Sequence, residues 1–183
     1  MGLLVFIKPV TYCNHLKGKK PSQVKSHNLR KVMAGGMLEL CAANAWDALV
    51  VAAEKDGIVL SPSSLGDMYR SIAQQKAGFL RRYQTTPIVG ASTKIYNGVK
   101  YYLKPKNAPL AAPNDDANTC SKHMMGIAVD VKSASGERLK WMEENIEKFG
   151  WSWEVLPEEP WHIRYTAGDT VPAAVQEWVS TKV

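Results

Sequence analysis

Ser121-Lys122-His123-Met124-Met125-Gly126-Ile127-Ala128-Val129-Asp130 is the stretch on which the fold turns, and its counterpart downstream is Glu159-Pro160-Trp161-His162-Ile163-Arg164-Tyr165. Ile127 to Val131 is a β-favouring run. Its period-two geometry sends Ile127, Val129 and Val131 to one side and Ala128 and Asp130 to the other, so a carboxylate shares a face with a very small residue. His123 lies an odd number of residues from Asp130, and an unbroken strand would send the two to opposite faces. Gly126 can supply the bend that reunites them. In the second stretch Trp161, Ile163 and Tyr165 alternate with His162 and Arg164, which directs the aromatics to a core and His162 away from it.

His123, Asp130 and His162 are three side chains of the kind that bind zinc, with a fourth tetrahedral position left for water. Glu159 is the spare carboxylate such a water needs. Pro160 between Glu159 and His162 forbids a regular helix and breaks strand alternation, so the carboxylate can approach from beside the ligands. The helical His-Glu-x-x-His arrangement of many metalloproteases is absent.

The chain has 183 residues, 45% of them hydrophobic, enough to bury the core of one domain. No run approaches the ~18 consecutive apolar residues of a membrane span, and Met1 to Val10 lacks the pattern of a secretory signal. A soluble chain without a membrane span is the expectation. The net charge of +6 is densest at Lys17, Lys19, Lys20, Lys25, Arg30 and Lys31. Such a patch suits nucleic acid, anionic lipid or an anionic wall, and a solvated basic surface is the expected reading. Cys13, Cys41 and Cys120 are widely spaced, so neither a disulfide framework nor a thiolate zinc cluster is expected, and free thiols fit a reducing cytoplasm.

Between Leu29 and Lys55, apolar residues at Val32, Met33, Met37, Leu40, Cys41, Ala45, Leu49 and Ala52 predict a long amphipathic helix ended by Gly57. Ile58-Val59-Leu60 reads as a strand, and a second helix is predicted from about Ser71 to Tyr83. Asn97-Gly98 between β-favouring residues predicts a hairpin over Ile95 to Tyr102. Pro105 to Thr119, aperiodic and proline-rich, reads as a long surface loop.

The pattern Ser121-x-His123-x-x-Gly126-x-Ala128-x-Asp130 with Glu159-x-Trp161-His162 resembles the zinc D-alanyl-D-alanine carboxypeptidase and phage endolysin peptidase family, VanY-like, in the wider group that includes lysostaphin and the Sonic hedgehog signalling domain. The resemblance implies that His123, Asp130 and His162 bind Zn2+ and that Glu159 is the general base. It also draws in Tyr69-Arg70-Ser71-Ile72-Ala73-Gln74-Gln75, similar to the family's Tyr-Arg-Ser-x-x-x-Gln element. Arg70 would support the substrate and the tetrahedral intermediate, with Ser121 and Gln75 among the substrate contacts. Met124-Met125 replaces the Gly-Trp common in phage members, a departure that touches no ligand.

The expected fold is therefore α+β, a single domain with a central antiparallel sheet, helices packed on one face and the zinc site on the other. Residues 1–28 match nothing assignable and are expected to join the zinc peptidase domain of residues 29–183. The expected function is cleavage of peptide bonds in bacterial peptidoglycan, as a stem-peptide or crosslink endopeptidase of the phage-lysin kind reaching the wall from the host cytoplasm or a virion. A D-alanyl-D-alanine carboxypeptidase is the nearest rival, and a non-catalytic zinc-containing wall-binding module is the rival from another class. Nucleic acid is not an expected partner, because only charge argues for it. His15 and His27 are read as surface residues, Trp141, Trp151 and Trp153 as core, and Asp115-Asp116 as a solvated loop.

Overall fold

The computed structural model describes residues 7–182. Met1 to Phe6, part of the segment read for a leader, lie outside the described residues. The chain runs β1 (Leu29–Lys31), β2 (Met37–Glu39), α1 (Leu40–Lys55), α2 (Ile72–Arg82), β3 (Tyr83–Gln84), β4 (Thr93–Tyr96), β5 (Val99–Leu103), β6 (Ala128–Asp130), α3 (Gly136–Asn145), β7 (Trp151–Trp153), β8 (His162–Tyr165) and α4 (Ala173–Ser180), with short 3-10 turns between. This is a single α+β domain whose antiparallel strands form three small sheets, β1-β2, β3-β5-β4 and β6-β8-β7.

The sheet β6-β8-β7 organises the molecule. Its inner face carries Val129, Ile163, Tyr165, Trp151 and Trp153, all buried in one apolar cluster with α1. Trp151 meets Trp46 of α1 edge-on at 5.9 Å between ring centroids. Helix α1 buries most of its circumference, including Ala42, Ala43, Ala45, Trp46, Ala48, Leu49, Val50 and Ala53, and α4 packs beside it. Burial at ~25 cal/mol per Å² of apolar surface makes this helix-on-sheet layer the main source of stability. Residues before β1 join the same cluster through Cys13, Leu16 and Val24. The other face of the sheet presents Ala128, Asp130, His162 and Arg164, as strand parity requires.

Several sequence expectations are corrected here. The helix predicted from Leu29 begins only at Leu40, because Gly35 and Gly36 close a β1-β2 hairpin in which Val32 N–H donates to Gly36 O at 3.1 Å. Gly35 has φ +133°, and a Cβ there would lie 2.4 Å from Met68 Sδ, so only glycine fits the turn. Ile58 to Leu60 forms no strand. Pro62, which has no N–H to donate, makes only an isolated bridge to Val131. Trp161 is 43% exposed, since β8 starts at His162 and the preceding turn breaks the alternation. Cys13 and Cys41 form a disulfide, against the expectation of free thiols, and only Cys120 is free among the described residues. Tertiary folding brings the two together from positions 28 residues apart.

Other elements fall where they were read. Helix α2 is capped by Ser71, whose Oγ accepts from Gln74 N–H while the Gln74 side chain accepts from Ser71 N–H. The Asn97-Gly98 turn joins β4 to β5 in the register Tyr96↔Val99. Residues 105–119 contain no helix or strand. They are nevertheless pinned: Gln75 Nε2 donates to Ala111 O at 2.8 Å, the Lys122 ammonium donates to Ala117 O, and Asp115 accepts from Ser22 N–H and Oγ–H at 2.8 and 2.7 Å. A small second core of Phe79, Tyr83 and Ala112, flanked by Tyr96 and Tyr101, seats the hairpin against α2. No helix among the described residues is long and apolar enough to cross a membrane.

Candidate active site

Register builds the centre of the site. Asp130 of β6 and His162 of β8 are directly opposed Cα partners, and Trp153 pairs with Ile163, so Glu154 continues the line on the far side of His162. His162 Nδ1 stands 2.7 Å from Asp130 Oδ1, and its Nε2 stands 2.9 Å from Glu154 Oε2. His123 arrives from the 3-10 turn Lys122–Met125, which Gly126 ends in the left-handed region at φ 72°. A Cβ on Gly126 would meet the Glu39 backbone nitrogen at 2.9 Å, so glycine provides both the bend and the close packing. His123 Nε2 then lies 3.2 Å from Asp130 Oδ2, and one ligand atom from each of His123, Asp130 and His162 lies within 4.8 Å of the others.

The electrostatics of this triad point to a cation. Burial holds the His123 pKa down, which favours the neutral ring. Its Nδ1 lies 2.8 Å from the Met68 carbonyl, a group that only accepts, so the ring proton is on Nδ1 and Nε2 carries the lone pair. That lone pair faces a carboxylate oxygen, acceptor against acceptor. A metal ion between them converts the repulsion into coordination. His162 meets a carboxylate at each nitrogen; burial works against its charge, but the hydrogen bonds to Asp130 and then Glu154 outweigh this and its pKa is pushed up to about 9. Burial works to raise the Asp130 pKa, and the nearness of the two imidazoles of His123 and His162 overcomes it and holds the carboxyl far below its usual range. To hold a cation His162 would give up its Nδ1 proton to solvent, keep Nε2–H on Glu154 and offer Nδ1 as a ligand. Two imidazoles, oriented from behind by Met68 O and Glu154, and one carboxylate fit a zinc ion and leave a position open.

The triad lies in a cleft of ≈ 590 Å³. Glu159, Trp161, Ser121 and Glu154 line it beside the triad, and Arg70, Arg82 and Lys94 add cationic groups to its lining. Arg70 N–H donates to His123 O at 3.1 Å, so the segment that carries the guanidinium also braces the first histidine. Its side-chain Nε is buried without a partner among the described residues, a donor still to be satisfied. Gln75 is brought near but not into the cleft. It is fully buried and holds the Ala111 carbonyl of the cleft wall. Cys120 lines the cleft, yet burial pushes its thiol up to about 11, which removes it as a thiolate nucleophile.

Glu154 and Met68 O are the site groups that sequence reading missed. Trp151-Ser152-Trp153-Glu154 has the parity of a strand with Glu154 on the polar face, but only the pairing of β7 with β8 shows that this face is the site. A backbone carbonyl such as Met68 O leaves no trace in sequence. His15, read as a surface residue, is half-buried and stands 2.7 Å from Glu39 Oε2.

Residues 36–168 match the family model of VanY, D-alanyl-D-alanine carboxypeptidase. The chain belongs to this family. No curated protein matches the chain. Among solved structures, the LD-carboxypeptidase LdcB is 21% identical with a TM-score of 0.55, covering 89% of this chain and 77% of its own. A variant of the vancomycin-resistance D,D-pentapeptidase VanY in complex with Zn(II) is 20% identical with a TM-score of 0.52, covering 86% and 85%. VanYB in complex with D-alanine-D-alanine is 18% identical with a TM-score of 0.52, covering 95% and 98%. At these identities the likeness is one of fold.

Proposed function

We propose that this protein is a zinc-dependent carboxypeptidase of peptidoglycan stem peptides, removing a terminal D-alanine. The observation that carries this reading is the His123–Asp130–His162 cluster, one of whose carboxylate oxygens opposes an imidazole lone pair, inside a cleft that also holds Glu159 and cationic side chains. When bound there, zinc supplies Lewis acidity that polarises a peptide carbonyl and acidifies water. Glu159, on the cleft wall and outside the triad, takes a proton from water and returns it to the leaving amine. Arg70, Arg82 and Lys94 line the cleft with cationic groups that match the free carboxylate of a chain terminus, and the Arg70 guanidinium is a donor for that carboxylate or for the developing oxyanion. Trp161 offers an exposed indole as a wall for the substrate chain. Ser121 contributes a hydroxyl beside the triad, and Gln75 acts through the wall that it holds.

The second reading, an endopeptidase of the phage-lysin kind cutting inside the stem or crosslink, draws on the cleft volume of ≈ 590 Å³, which leaves room for chain on both sides of a scissile bond. Family membership and the cationic side chains in the cleft favour the carboxypeptidase. Digestion of defined muropeptides followed by mass spectrometry separates the two. Release of free D-alanine is the expected result, whereas new internal termini without D-alanine would give the endopeptidase reading, and intact substrate with Zn2+ present would reject both.

A further inference from the structure

A second cluster of metal-ligating side chains lies outside the cleft, where the N-terminal segment meets the β2-α1 corner. Cys13 and His15 come from the segment before β1, Glu39 ends β2, and Cys41 is in the first turn of α1. One ligand atom from each lies within 4.8 Å of all the others. Cys13 and Glu39 are 2% and 1% exposed, and His15 and Cys41 are half-buried. His15 Nε2 is 2.7 Å from Glu39 Oε2, Cys13 Sγ is 3.9 Å from Glu39 Oε1, and the Asn28 amide lies 3.3 Å from His15 Nδ1. In the structure the two sulfurs are joined to each other.

A disulfide alone requires neither an imidazole nor a buried carboxylate at its side. Glutamate is also not among the side chains usually selected to cap a helix, yet Glu39 is turned inward here, accepting from Cys41 N–H and Ala42 N–H at 3.1 and 2.5 Å. Two sulfurs, one imidazole nitrogen and one carboxylate oxygen make up a complete tetrahedral set for Zn2+, with no position left for water. At a Zn–S bond near 2.3 Å, two thiolates on one ion stand roughly 3.8 Å apart. The Cα atoms of Cys13 and Cys41 are 6.8 Å apart, a span that side-chain rotation alone can adapt to that spacing.

We propose that, once the Cys13–Cys41 bond is reduced, Cys13, His15, Glu39 and Cys41 form a closed Zn2+ site that is structural and separate from the cleft. A reductant, either a dithiol or a phosphine that takes up the oxygen of water, supplies two electrons and two protons to the S–S bond, leaving two thiols. The ion then displaces both protons, and His15 binds in its neutral form through Nε2, its ring proton passing to Nδ1 as the Asn28 amide turns away. The amides of Cys41 and Ala42 remain behind the carboxylate as its orienting partners. The N-terminal segment is thus tied to α1 in either redox state. The tie lies beside Glu39, whose N–H donates to Gly126 O at 2.9 Å, at the end of the turn that carries His123.

Cobalt titration of the full chain tests this, because thiolate ligands give Co2+ a near-ultraviolet charge-transfer band that a two-histidine, one-aspartate site cannot produce. In tris(2-carboxyethyl)phosphine the chain is expected to take up two Co2+ and to show the band, which excess Zn2+ bleaches. The oxidised chain is expected to take up one ion and show no band. The double variant Cys13→Ser/Cys41→Ser is expected to lose the band, and His123→Ala/His162→Ala to retain it with a single ion bound, which keeps the result independent of the cleft and of folding in the cysteine variant. A reduced wild-type chain without the band, or a band that persists in the double cysteine variant, overturns the proposal.

Discussion

Glu159 and Glu154 lie in the same connection between β7 and β8, and their surroundings divide the work between them. Glu159 lines the cleft and its backbone carbonyl accepts from His162 N–H at 3.1 Å, so the carboxylate is held beside the triad without joining it. Glu159→Gln keeps this shape but cannot take a proton. Its D-alanine release should fall by roughly 10²- to 10⁴-fold, while zinc content by elemental analysis and the melting temperature stay near wild type. Glu154 is bound on one side to His162 Nε2 and on the other to Arg164 at 3.0 Å, and the hydrogen bond to His162 keeps its own pKa low. Its place is behind the ligand. Glu154→Ala should weaken zinc binding by about 10- to 100-fold in a chelator competition, and Glu154→Gln, which can still accept from Nε2–H, should recover part of the loss.

At the level of elements, the two strands of the opening motifs were legible because each has one buried face. Ile127, Val129 and Val131 on one strand, and Ile163 and Tyr165 on the other, follow period two into the core. The left-handed turn at Gly126 was legible too, since His123 and Asp130 cannot share a face without it. Gly126→Ala puts a Cβ 2.9 Å from Glu39 N at a φ that side chains avoid. A loss of about 1–3 kcal/mol is expected, measured as an earlier midpoint in urea, with zinc affinity falling as His123 is displaced. Apolar spacing misled where a turn interrupts it. Val32, Met33 and Met37 fit a helical period, but Gly35-Gly36 folds that stretch into a hairpin and α1 begins at Leu40. Trp161 shows the same limit, because alternation holds only inside a paired strand and Trp161 precedes one.

Across the whole molecule, the site exists because four separated segments meet on one face of β6-β8-β7: the 3-10 turn with His123, β6 with Asp130, β8 with His162, and the segment before α2 with Arg70. A cation held by three of these favours the folded chain over the unfolded one. With free zinc at a thousand times its dissociation constant the gain is about 4 kcal/mol. Stripping the metal from the oxidised chain with a chelator should therefore lower the melting temperature by roughly 8–16 °C in a calorimetric scan, and adding Zn2+ should restore it. His123→Ala should show a smaller metal-dependent shift than wild type in the same scan.

The sequence by itself determined the face on which Asp130 and His162 point, the capped α2 and the Asn97-Gly98 hairpin. Each of these depends on neighbours within a few residues, where backbone geometry is set by local chemistry. Only the tertiary structure decided the strand register that places Glu154 behind His162, the Met68 carbonyl that orients His123, the burial of Gln75 away from the cleft, and the meeting of Cys13 and His15 with Glu39 and Cys41. These are long-range pairings. They arise when α1 packs against the sheet and draws the N-terminal segment into the core, and no local spacing in the chain encodes which distant groups that packing brings together.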